Sequence, residues 1–99
     1  MADRNIFPAR FAFRNLKANA TTLVKTGAGM LHSVTINDAG ASSNTCTLYD
    51  GLDASGTEIA TIDTVELAGR SLLYDVSFGT GLTVVIGTGT AANVTLAYE

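Results

Sequence analysis

The sequence has few of the residues that small proteins use for disulfides, for metal binding or for catalysis. Its one cysteine, Cys46, cannot form a disulfide within the chain, and this cysteine usage is typical of folding in a reducing cytoplasm. Its one histidine, His32, excludes any multi-histidine metal site. The longest mainly apolar stretch, Leu82–Ile86, is far too short to span a bilayer. Arginines interrupt the N-terminus, where a signal peptide would need an apolar run.

Charge is also scarce, and it is unevenly placed. Charged residues make up 15% of the 99-residue chain, against 46% hydrophobic residues. Threonine, serine, asparagine and glycine must therefore cover much of the surface, which suits a protein that lives in an assembly. Residues 1–25 hold five of the six cations and one acid, and residues 26–99 hold eight acids. A basic segment on an acidic body indicates contact with an acidic partner surface and argues against nucleic acid.

We predict an extended N-terminal arm over residues 1–15, followed by a single domain over residues 16–99. The arm contains the only proline and shows no clear period, although Phe11–Phe13 could start a strand. It also carries aromatic and arginine side chains of the kind that anchor interfaces. These candidate anchors are Arg4, Phe7, Arg10, Phe11, Phe13 and Arg14. The sequence leaves open whether they pack on their own domain or on a neighbour.

Alternation of period two recurs through the rest of the chain and predicts strands. In Met30–Asn37 it places Met30, His32, Val34 and Ile36 on one face, with His32 as a partly buried structural residue. Further inward positions are predicted at Cys46, Leu48, Leu72, Tyr74, Val76, Phe78, Leu82, Val84, Ile86, Val94, Leu96 and Tyr98. No window predicts more than one helical turn. Seven or eight short strands with turns about every 8–12 residues predict an all-β fold, an antiparallel β-sandwich or jelly roll.

The motifs that could carry chemistry have simpler structural explanations. Gly87–Ala92 matches a dinucleotide fingerprint but lacks the helix and βαβ unit that the fingerprint needs, so it predicts a glycine hairpin. Residues 50–56 lack the spacing of a calcium loop and predict a turn. Cys46 and His32 could pair as nucleophile and base, but an inward thiol behaves as a small hydrophobe. We therefore expect no catalytic residue, no metal, no cofactor and no enzymatic activity.

Six segments of the C-terminal half carry a family resemblance through their strand and turn motifs. They are Leu48–Gly51, Ser55–Thr57, Ile59–Ile62, Tyr74–Phe78, Gly81–Val85 and Val94–Tyr98. Over roughly residues 30–99 the series resembles small β-sandwich structural proteins of tailed bacteriophages. That group includes stand-alone capsid cement (decoration) proteins and C-terminal modules of tail or fibre proteins. The resemblance implies a structural role in the virion and is silent on catalysis.

The length of the chain, which starts at Met1 and leaves no room for a fibre shaft, favours a cement protein on the outer capsid surface. The resemblance then implies folding in the host cytoplasm, the major capsid protein as partner and a homo-oligomer, with a trimer favoured. Neither nucleic acid nor membrane is an expected partner. On this interpretation, the six anchor residues of the arm are predicted to contact the capsid or another subunit. The alternative is a tail, neck or fibre module that binds host glycans, with Tyr49, Asp50 and Asn44 as the nearest candidate site.

Overall fold

Eight strands form the regular structure of the residues that the structure describes. The structure, a computed structural model, describes residues 10–41, 44–87 and 89–99. The strands are β1 Ala12–Leu16, β2 Thr21–Thr26, β3 Gly29–Asp38, β4 Thr45–Asp50, β5 Thr57–Asp63, β6 Ser71–Phe78, β7 Gly81–Ile86 and β8 Asn93–Tyr98. Within these ranges no helix could cross a membrane. The structure confirms the predicted strands. They form because β-branched and aromatic residues, which favour strands, are enriched in these segments.

The strands form two four-stranded antiparallel sheets. Sheet A has the order β1-β8-β3-β6, and sheet B has the order β2-β7-β4-β5. Pairing is nested: β4 pairs with β5, β3 with β6, β2 with β7 and β1 with β8. Only the β4–β5 connection stays within one sheet, so every other connection passes between sheets. This nested order of eight strands in two sheets is that of a jelly roll, and the predicted all-β antiparallel sandwich is confirmed.

The glycine-rich segment after β7 is not a hairpin, contrary to the prediction. β7 belongs to sheet B and β8 to sheet A, so residues 87–92 carry the chain from one sheet to the other. Glycine turn chemistry predicts that the chain reverses. It does not say which sheet the next strand joins, because that choice depends on partners distant in sequence.

One apolar core lies between the sheets. The inward positions predicted on β4, β7 and β8 are confirmed at Cys46, Leu48, Leu82, Val84, Ile86, Val94 and Leu96, all of which are buried. Tyr74 and Tyr98 are partly buried and pack against this core. Burial of apolar surface of this kind is the main favourable contribution to folding.

The face predicted for β3 is wrong in its first half. Leu31 is fully buried together with Val34 and Ile36, whereas Met30 and His32 are only partly buried. Leu31 pairs with Tyr98 and Ser33 with Ala97, so His32 is an extra residue on β3 opposite β8. A β-bulge of this kind inserts one residue and shifts the alternation.

A second irregularity lies on β6, opposite the same point of β3. Leu31 pairs with Val76 and Ser33 with Leu73, which leaves Tyr74 and Asp75 opposite His32. Asp75 has φ of 50°, a left-handed conformation that aspartate tolerates better than most residues. Val76, which alternation predicts to face inward, is 37% exposed. Phe78 is buried, as predicted.

The N-terminal boundary of the sandwich also differs from the predicted one. β1 begins at Ala12 and pairs along its whole length with β8, so residues 12–15 of the predicted arm belong to sheet A. Phe13 and Arg14 are therefore strand residues of sheet A. Arg4 and Phe7 of the predicted arm lie outside the described residues.

Candidate functional site

Four of the predicted interface residues lie at or next to one edge of sheet A. Arg10 and Phe11 immediately precede β1, and Phe13 and Arg14 belong to it. Among the described residues β1 pairs only with β8, so its other side presents unpaired backbone groups. Such an edge is a template for pairing with another strand.

Phe11 packs on its own domain. Its ring stacks on the imidazole of His32, with centroids 4.2 Å apart and planes inclined by 8°. His32 Nδ1 lies 2.5 Å from Asp75 Oδ1. The two bulges of β3 and β6 thus present His32 and Asp75 to the residue that leads into β1. This stacking connects the residue that leads into β1 with β3 of sheet A.

Arg10 lies over the same cluster but remains open to solvent. Its Nε donates to Glu99 Oε2 at 3.0 Å, and its guanidinium carbon lies 5.7 Å from the centroid of the Phe11 ring. The Arg10 side chain is 71% exposed, and an exposed ion pair contributes at most about 1 kcal/mol. Arg10 can therefore exchange Glu99 for an acid on a partner at little cost.

Phe13 lies at one end of an outward-facing row that crosses sheet A. The register pairs Phe13 with Ala97, Ala97 with Ser33 and Ser33 with Leu73. Paired residues share a face of the sheet. The two ends of the row are the most exposed of the exposed large hydrophobics: Phe13 is 74% exposed and Leu73 is 70% exposed. An apolar side chain thus stands at each outer edge of sheet A.

A polar row runs beside the apolar one. Asn15 pairs with Thr95, Thr95 with Thr35 and Thr35 with Ser71. Asn15 Nδ2 donates to Thr95 Oγ1 at 3.1 Å, and the hydroxyls of Thr35 and Ser71 are 2.8 Å apart. This uncharged row reaches from the β1 edge to the β6 edge, and its side chains hold one another in place.

Charge divides the sandwich into a basic side and an acidic side. The edge strands β1 and β2 are joined by residues 17–20, and residues 10–26 contain no acid. Their cations, Arg10, Arg14, Lys17 and Lys25, form the basic side, and Glu99 lies against it, paired with Arg10. The other edge strands, β5 and β6, are joined by residues 64–70. They form the acidic side, with Glu58, Asp63, Glu66 and Asp75 against Arg70.

Two of the residues predicted as a glycan site, Asp50 and Asn44, make hydrogen bonds that connect distant parts of the fold. The Asp50 carboxylate accepts backbone hydrogen bonds from Gly79 and Thr80, both at 2.9 Å. The bond from Gly79, followed by that from Thr80, lowers the pKa of Asp50. Asn44 is buried, and its amide donates to the carbonyl of Thr90 at 2.9 Å. These side chains fasten the connections between strands.

Cys46 and His32 are not brought together. Cys46 is buried on β4 of sheet B, where desolvation raises the pKa of its thiol to about 12. His32 lies on β3 of sheet A, in the cluster with Phe11 and Asp75. In the part of the chain that the structure describes, no three His, Cys, Asp or Glu side chains are grouped to hold a metal, and no cavity is present.

Leu73, Asn15 and Ser71 were not singled out from the sequence. Alternation on β6 places Leu73 opposite to Leu72 and Tyr74, which is an outward position. Only the register across four strands shows that Leu73 shares a row with Phe13 and that Ser71 shares one with Asn15. The acidic side was not predicted from the sequence either, because its residues come together only through the order of the strands in the two sheets.

No family model matches the chain, and no curated protein matches it.

Proposed function

We propose that the protein is a bacteriophage capsid cement protein, which binds the outer capsid surface and stabilises the shell by bridging capsomers. The observation that carries the proposal is the basic side of the sandwich. Four cations lie along it with no acid between residues 10 and 26. Such a surface is complementary to an acidic partner.

The proposed mechanism is mass action. A protein that binds the assembled lattice and not the free capsomers stabilises the lattice in proportion to its occupancy. Many copies on one shell multiply a modest energy for each copy. A small β-sandwich with two uncharged rows across sheet A suits this role, because these rows add contact area without adding charge repulsion between neighbours.

The structure sets where a truncation should end. Removing residues 1–14 would delete most of β1, whereas removing residues 1–9 keeps β1 and the contact of Phe11 with His32. The shorter deletion removes Arg4 and Phe7. We expect it to leave the sandwich folded and to weaken binding to capsids that lack this protein, because a basic and an aromatic anchor are lost.

Two matched arginine variants test the basic side itself. Arg14→Ala removes an exposed cation from the basic side, and Arg70→Ala removes an exposed cation from the acidic side. The measurement is the temperature at which undecorated shells open when each variant is added. We expect Arg14→Ala to protect the shells less than the wild type does and Arg70→Ala to protect them fully. Equal protection by both variants would contradict docking through the basic side.

A further inference from the structure

We infer that copies of this protein associate head to tail, with the β1 edge of one copy beside the β6 edge of the next. The contact extends sheet A from one molecule into its neighbour. The inference goes beyond the proposed function, because it concerns the free protein and requires no capsid. Three observations support the inference: the direction of the edge strands, the register of the surface rows and the charge of the two edges.

Strand direction permits the contact. Sheet A holds four strands, and each neighbouring pair is antiparallel. Its two edge strands, β1 and β6, therefore point in opposite directions. A second copy in the same orientation presents β6 antiparallel to β1, which is the geometry of regular strand pairing. In the described residues both edges carry unpaired backbone groups.

Register makes the contact specific. When Phe13 stands opposite Leu73 of the neighbour, Asn15 stands opposite Ser71 of the neighbour. Both surface rows then continue across the boundary, the apolar row through Phe13 and Leu73 and the polar row through Asn15 and Ser71. The pairing covers the two most exposed large hydrophobic side chains with each other. Cross-strand pairs of this kind are the unit of sheet stabilisation.

The bulge on β6 limits the length of the contact. Regular pairing on β6 runs from Ser71 to Leu73 before Tyr74 and Asp75 interrupt it. β1 is itself only five residues long. A short edge that ends in a bulge resists indiscriminate aggregation, so one register is favoured over sliding.

Charge selects the partner. The β1 edge lies on the basic side and the β6 edge on the acidic side, so the approaching surfaces have opposite sign. Two β1 edges or two β6 edges would bring like charges together, which disfavours the symmetric alternatives. The residues at the centre of the contact, Phe13, Asn15, Ser71 and Leu73, are uncharged, so no charge has to be buried without a partner.

A head-to-tail contact closes into a ring when its rotation permits and otherwise extends as a filament. In this arrangement the β1 strand meets the neighbouring copy. Arg14 lies on the other face of β1 from Phe13 and Asn15, because it pairs with the buried Leu96. Arg14 and the other cations of the basic side therefore keep the capsid contact.

Disulfide trapping tests the register directly. The variants Asn15→Cys and Ser71→Cys are mixed under mild oxidation, and linked peptides are identified by mass spectrometry. The native Cys46 is buried and does not compete. We expect a disulfide between positions 15 and 71 in the mixture and no dimer from either variant alone. Dimers of either variant alone, or no dimer in the mixture, would overturn the inference.

A second experiment measures association without cross-linking. The mass of the wild type in solution is compared with that of Phe13→Asp and of Leu52→Asp, where Leu52 is an exposed leucine outside sheet A. We expect a concentration-dependent oligomer for the wild type and for Leu52→Asp, and a folded monomer for Phe13→Asp. A wild type that stays monomeric at every concentration, or a Phe13→Asp oligomer, would contradict the contact.

Discussion

Two adjacent residues of β3 test the bulge at His32 most sharply. Simple alternation places Met30 on the face of Val34 and Ile36, with Leu31 on the other face. The structure buries Leu31 completely and leaves Met30 partly exposed. Replacing a fully buried leucine by alanine costs about 2–5 kcal/mol, because apolar contacts are lost and a cavity remains. Replacing a partly buried methionine on the outer face costs about 1 kcal/mol.

These magnitudes separate the two variants in a thermal unfolding experiment. For a domain of this size each kcal/mol lowers the melting temperature by about 4–8 °C. Leu31→Ala should therefore melt at least roughly 8 °C below the wild type, and Met30→Ala closer to it. Chemical denaturation followed by circular dichroism gives the same comparison as free energies. A larger loss for Met30→Ala than for Leu31→Ala would refute the bulge and restore the simple alternation.

Two further predictions concern titration and reactivity. Hydrogen bonds from the amides of Gly79 and Thr80 lower the pKa of Asp50, so its contribution to stability is present at neutral pH and is lost as pH falls through the lowered pKa. Asp50→Asn should thus be less stable than the wild type at neutral pH, and denaturation curves should show this difference closing in acid. Burial raises the pKa of Cys46 to about 12, so a thiol reagent should label it only on unfolding; fast labelling of the native protein would contradict its burial.

The sequence predicts the strands well where alternation is regular. On β4 and β7 apolar residues stand at every second position from Cys46 to Leu48 and from Leu82 to Ile86, and Cys46, Leu48, Val84 and Ile86 face the core as expected. On β6 the alternation holds at Leu72, Tyr74 and Phe78, which contact the core as predicted. On β3 the pattern fails at His32, because a bulge depends on the partner strand and leaves no clear mark on either strand alone. The sheet that each strand joins cannot be predicted from the sequence for the same reason, as the connection between β7 and β8 demonstrates.

The candidate interface was only partly visible in the sequence. The excess of cations in residues 1–25 marked the N-terminal segment, and the structure places Arg10 and Arg14 on one side of the sandwich. The acidic side could not be predicted, since Glu58 and Asp75 are distant in sequence and meet only when β5 and β6 become edge strands. Phe11 was predicted to anchor an interface, but its stacking on His32 follows from the bulge.

Cosedimentation of the wild-type protein with capsids that lack it, at low and at high salt, tests the proposed function most directly. A basic side that docks on an acidic capsid predicts stoichiometric binding at low salt. That binding should weaken at high salt, because salt screens contacts between exposed charges. Absence of binding at low salt would contradict the cement proposal and would favour the tail or the host-facing apparatus as the site of this protein.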